Sequence, residues 1–217
     1  MDVWRGAVRQ AGAVEVRTIN ELIDMLVAFE FAGPAAGNRV AVLGGAGGET
    51  VESADLCQEA GLGLPLPPDE MREELREKMP HAWDWVGNPV DASILSWGRR
   101  SESFAVMEMM AANPAYDVII ANVRGIEHAL GRDDGGELFR ATIEEAKHLA
   151  KESGKAAMFV LGEPESSEDW RWKGAIRVRD ELAAAGVAVY PDMDRATQAM
   201  SRYLRYLADR RGRGVAC

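Results

Sequence analysis

Two cysteines, Cys57 and Cys217, are the only thiols in the 217 residues. So few exclude a disulfide-built scaffold and point to a reducing compartment, the cytoplasm. The three histidines, His81, His128 and His148, are far apart, and no Cys/His group has metal-ligand spacing. No apolar run approaches the roughly 18–20 residues that a membrane span needs. The opening Met1-Asp2-Val3-Trp4-Arg5 has no apolar stretch of the signal-peptide kind. Neither the Walker pairing of Lys with Ser/Thr after a glycine loop nor a Gly-X-Ser-X-Gly nucleophile elbow occurs. Positive charge is also short. Lys and Arg number 25 against 35 Asp and Glu, for a net charge of -10, which excludes nucleic acid or an anionic membrane as the main partner. A local anion site stays open, because backbone N–H groups bind phosphate without net charge.

What is present is an alternation of short apolar runs with helical patterns. Arg39–Leu43, Leu62–Leu66, Asp117–Val123, Ala156–Leu161 and Val187–Tyr190 read as strands. The runs lack period-two alternation, as expected for strands buried on both faces. Helices are expected over Asp2–Gln10, from Thr18 to about Gly33, and over Glu49–Ala60, Asp69–Lys78, Phe104–Ala112, Glu137–Ser153, Trp172–Ala185 and Asp194–Ala208. Thr18 with Glu21 forms a capping box, and Leu22, Ile23, Leu26, Val27 and Phe29 make an apolar face on the helix that follows. His81–Arg100 is irregular, and Arg210–Gly214 reads as a frayed basic end. Strands joined by helices imply a single-domain α/β fold, a doubly wound parallel sheet of about four or five strands flanked by helices. Ligands then belong at the carboxyl ends of the strands. That places Gly44–Thr50, Asn122–Asp134, Gly162–Trp172 and Pro191–Met193 at the working edge, joined by Asn88–Ser93.

The sharpest motif is Leu43-Gly44-Gly45-Ala46-Gly47-Gly48-Glu49-Thr50, a strand running into a helix. Its glycines allow close backbone approach, and a helix start offers unpaired N–H groups to an anion. Gly45, Ala46, Gly47, Gly48, Glu49 and Thr50 are the candidate phosphate-binding residues. The competing reading is a tight connection with no ligand. Glu49 stands on both sides of the question: it suits the first turn of a helix, and its carboxylate would repel a phosphate. Asn88 and Asp91 of the Asn88-Pro89-Val90-Asp91 turn, Asn122, and His128 after the third strand are candidate site-lining residues. Trp83, Trp85 and Trp97 flank that turn, and Trp170 and Trp172 sit in a strand-end loop; they either cap the sheet or dock another domain.

Several of these segments together resemble the NDP-forming acyl-CoA synthetases. They are Arg9–Val14, Glu21–Asp24, Gly37–Val42, Ala46-Gly47-Gly48, Ala54-Asp55, Glu59–Leu62 and Asn88–Asp91. The family includes ADP-forming acetyl-CoA synthetase and is related to succinyl-CoA synthetase. The resemblance is to its flavodoxin-like ligase domain, the one that follows the phosphohistidine domain. It implies an N-terminal helical segment over 1–36 packed on the core, a ligase-type domain over 37–208 and a flexible tail over 209–217. It also implies that the glycine turn faces a phosphohistidine carried by another domain or chain. CoA and ADP or ATP would then serve only a complete enzyme, with CoA-binding and ATP-grasp domains or subunits as partners and no tightly bound cofactor here. The alternative is a non-catalytic binding or interaction domain that kept the fold. The family reads Gly-Gly-Pro-Gly where this chain reads Gly47-Gly48-Glu49-Thr50, and none of the three histidines matches the family's Ser-His-Thr-Gly segment.

Overall fold

The computed structural model describes residues 2–95, 102–124, 135–163 and 167–213. Its strands are β1 (Val40–Gly45), β2 (Val90–Asp91), β3 (Val118–Asn122), β4 (Ala156–Val160) and β5 (Ala188–Tyr190). Its helices are α1 (Asp2–Gln10), α2 (Ile19–Phe31), α3 (Gly47–Glu59), α4 (Asp69–Lys78), α5 (Glu102–Ala112), α6 (Gly135–Glu152), α7 (Asp169–Ala184) and α8 (Met193–Gly212). The five strands form one sheet in the order β2-β1-β3-β4-β5, and every pairing is parallel. This is the doubly wound, flavodoxin-like order, whose reversal point lies between β1 and β3.

The sheet is buried on both faces because its central strands are almost entirely apolar. Ala41, Leu43, Ile119, Ala121, Ala157 and Phe159 face one core, shared with α4 to α7. The intervening Val40, Val42, Val118, Ile120, Met158 and Val160 face the other, shared with α2, α3 and α8. Full burial of each Val, Leu, Ile, Met or Phe side chain among them contributes roughly 1.5–3 kcal/mol. At the amino edge, Asp117 closes the layer. Its carboxylate accepts the Arg39 backbone N–H at 3.1 Å and two guanidinium N–H groups at 2.8 Å each.

Three expectations are corrected. The apolar run Leu62–Leu66 is not a strand. Only Gly63 bridges to Arg39, and Pro65 has no N–H for a ladder. The second strand is instead Val90–Asp91, inside the Asn-Pro-Val-Asp turn, where the Asn88–Pro89 peptide is cis. The apolar face of α2 is not its buried face: Ile23 and Leu26 remain 48% and 58% exposed, while Asp24, Met25 and Ala28 are buried. Asp24 is held there by Arg195, which donates to both of its oxygens at 2.9 and 2.6 Å. Helix ends also move. Thr18 caps α2 as expected, Asp192 rather than Asp194 caps α8, and α8 continues to Gly212, beyond the expected end near Ala208. Arg211, near that end, donates to the Ala35 carbonyl. Of the tryptophans flanking β2, Trp83 lies under the guanidinium groups of Arg72 and Arg76, Trp85 is exposed, and Trp97 lies outside the described residues.

Candidate functional site

β1 ends in Gly44 and Gly45, and α3 begins two residues later at Gly47. Gly45 adopts φ +83, which reverses the chain into the helix and favours a residue without Cβ. α3 therefore starts earlier than the sequence suggests, and Glu49 is its third residue. The N–H groups of Gly47 and Gly48 open the helix and have no carbonyl a turn earlier to accept them. Thr50 turns its hydroxyl back to the Ala46 carbonyl at 3.2 Å.

The side chain of Glu49 points into the turn. One carboxylate oxygen accepts the Ala46 N–H at 3.0 Å, which is the glutamate arm of a capping box. Ala46 has no side-chain acceptor to return the bond, so only that arm exists. The other oxygen lies 3.4 Å from Nε of Arg124. The same carboxylate fills the space that a Cβ on Gly45 would need. A negative group thus already sits against the start of α3, opposed by a cation from the end of β3.

Asn122, the last residue of β3, ties the two strand ends together. Its amide donates to the Gly44 carbonyl at 3.4 Å, and its oxygen accepts the Arg124 N–H at 3.1 Å. Asp91 flanks the first turn of α3, with Oδ2 3.4 Å from the Cβ position of Gly47. Its Oδ1 accepts the N–H and hydroxyl of Ser93 at 2.8 and 2.6 Å. Gly45–Thr50, Asp91 and Asn122 are therefore brought together. Asn88 is close in sequence, but its amide is engaged elsewhere. It bonds the carbonyls of Val40 and Pro65 and the N–H of Val42, all backbone groups. His128 lies outside the described residues.

Arg124 and Gly162 lie in strand-end loops that the sequence places at the working edge, but neither was singled out; the φ of +72 and missing Cβ of Gly162 make room for Arg124. The only signal was position: each directly follows an apolar strand run, at the carboxyl edge. Cys57 is buried, and burial pushes its thiol up to about 12. Among the described residues no group of three or more His, Cys, Asp and Glu is placed to hold a metal ion, and no helix is long and apolar enough to cross a membrane.

No family model matches the chain. Subunit alpha of an ADP-forming acetate–CoA ligase II from Pyrococcus furiosus is 30% identical over 172 residues, which cover 70% of this chain and 37% of that protein. ADP-forming acetate–CoA ligase II of Archaeoglobus fulgidus is 26% identical over 208 residues, covering 94% of this chain and 28% of the relative. The chain is homologous to the NDP-forming acyl-CoA synthetases. It spans well under half of each of these relatives. Solved structures share its fold. The dinucleotide-forming acetyl-coenzyme A synthetase 1 of Ca. Korarchaeum cryptofilum, in complex with phosphate and ADP, superposes with a TM-score of 0.71 at 19% identity, over 100% of this chain and 43% of that one. PH0766 from Pyrococcus horikoshii OT3 gives 0.69 at 23% identity, over 96% of this chain and 44% of that one. The similarity to the Archaeoglobus fulgidus relative extends over nearly the whole chain.

Proposed function

We propose that this chain acts as the ligase-type domain of an NDP-forming acyl-CoA synthetase and that its glycine turn receives a phosphoryl group carried as phosphohistidine by another domain or chain. The observation that carries the reading is convergence. The start of α3, Gly45 at positive φ, Asn122 and Arg124 meet at the reversal point between β1 and β3. A helix start there offers N–H donors and a positive dipole end to an anion. The relatives' identity as ADP-forming acetate–CoA ligases and the phosphate and ADP bound by one structural neighbour support the same chemistry. Acyl-CoA, CoA and ADP or ATP are then handled by the assembled enzyme, with CoA-binding and ATP-grasp partners, in the cytoplasm. A second reading, a non-catalytic interaction domain, draws on one observation: the Glu49 carboxylate already occupies the Ala46 N–H. Reconstitution separates the two. The chain is captured with CoA-binding and ATP-grasp proteins from its own genome, and acyl-CoA formation from acid, CoA and ATP is measured with and without it. Turnover that depends on the chain supports the ligase reading. A stable complex whose turnover ignores the chain supports the second.

A further inference from the structure

Arg124 is not a residue that happens to lie near the turn; the fold makes a place for it. Its backbone N–H is fixed by Asn122 at 3.1 Å, which sets the direction in which the chain leaves β3. Its side chain then crosses the end of β4. A Cβ on Gly162 would lie 2.7 Å from both Cγ and Nε of Arg124. The absent side chain at 162 is therefore what lets the guanidinium reach the Glu49 carboxylate at 3.4 Å. Three strand ends, those of β1, β3 and β4, contribute to one cation–carboxylate contact. The pair is partly open to solvent, with Arg124 41% and Glu49 30% exposed. Such a pair is held loosely and can exchange partners. A guanidinium also suits a phosphoryl oxygen pair better than a single carboxylate oxygen.

We infer that Arg124 is the anion-binding residue of this site, exchanging the Glu49 carboxylate for the oxygens of an incoming phosphoryl group. The inference rests on the reading of the turn as a phosphoryl site. Glu49 holds Arg124 in position while the site is free, and the cost of separating them sets how tightly an anion binds. Gly162 is a positioning residue that acts through Arg124.

Inorganic phosphate, titrated into the full chain by calorimetry, tests this. Glu49→Gln should bind phosphate more tightly than the parent, because the carboxylate charge that competes for Arg124 is gone. Adding Arg124→Ala in that background should weaken binding about tenfold, the loss of one charge-assisted contact. Arg124→Lys should recover part of that loss, since it keeps the charge without the fork. Gly162→Ala should also weaken phosphate binding while leaving the charge in place. Circular dichroism identifies any variant that fails to fold, and Arg124→Lys then carries the comparison. If Glu49→Gln binds phosphate and Arg124→Ala leaves that affinity unchanged, the role of Arg124 is overturned and the phosphoryl reading stands. If neither the parent nor Glu49→Gln binds phosphate, the phosphoryl reading falls and takes this inference with it.

Discussion

Replacing Asn88 by alanine should destabilise the fold without touching ligand binding. β2 is only two residues long, so the outer side of β1 lacks strand partners over most of its length. The Asn88 side chain stands in for them. Its amide donates to the Val40 carbonyl at 2.7 Å and the Pro65 carbonyl at 3.0 Å, and its oxygen accepts the Val42 N–H at 2.9 Å. Val40 and Val42 are fully buried, so alanine would strand one donor and one acceptor away from water. Each unpaired buried group costs about 1–3 kcal/mol. The Pro65 carbonyl, on a partly exposed residue, can recover a water. The expected loss is about 2–6 kcal/mol, one such cost for each of the two groups. At roughly 2–4 °C per kcal/mol for a chain of this size, the melting temperature should fall by about 4–24 °C. Asn113→Ala is the control, since its carboxamide oxygen accepts only the part-buried Ala115 N–H and the loss should stay near 1 kcal/mol. Urea unfolding followed by circular dichroism measures both. A loss below about 1 kcal/mol for Asn88→Ala would refute the strut and return Asn88 to the ligand-binding candidates.

Four further outcomes are expected. The hydrogen bonds and charge of Arg39 hold the Asp117 carboxyl below the usual carboxylate range. Its contribution to stability is therefore full above about pH 4 and lost as pH falls through the lower folded value. Asp117→Asn should flatten the acid limb of a melting curve series below about pH 4, and parallel curves for the two proteins would contradict the pairing. Gly45→Ala should cost about 1–2 kcal/mol from its positive φ. It should cost more from its clash with Glu49, so the penalty should shrink in a Glu49→Ala background; an unchanged penalty means that Glu49 does not fill that space. Glu49→Pro, which restores the family residue at the third position of α3, should raise phosphate affinity and lower stability by about 0.5–1 kcal/mol through loss of the Ala46 bond. Equal phosphate affinities by calorimetry would count against the anion site. The isolated chain should neither form acyl-CoA nor take label from ATP, and turnover by the pure protein would contradict that division of labour.

β1, β3 and β4 were legible because both faces of each strand are buried and their sequences are apolar nearly throughout, with Asn122 at the end of β3 as the polar residue. β2 was not. Its pairing depends on a side chain two residues upstream and on the geometry of Pro89, neither of which has a hydrophobic signature. Leu62–Leu66 misled for the converse reason: it is apolar, but a strand needs N–H groups that face a partner, and Gly63 alone meets one. The face of α2 misled because a bidentate ion pair to Arg195 buries Asp24 in place of the leucines. In the site, the glycine turn could be read from spacing. The direction of Glu49 could not, since it depends on the φ of Gly45, and Arg124 could not, since its place is cut by a glycine far along the chain.

The two margins of the sheet have a consequence for the protein in a crowded cell. An exposed strand edge is a template on which a foreign strand can polymerise, and long flat margins invite fibrils. Here one margin is a two-residue strand whose neighbouring backbone is stitched shut by a carboxamide, and the other is a three-residue strand followed at once by Pro191. Neither is long enough to seat another chain's strand. A sheet rich in valine, isoleucine and alanine is thereby kept from growing outward.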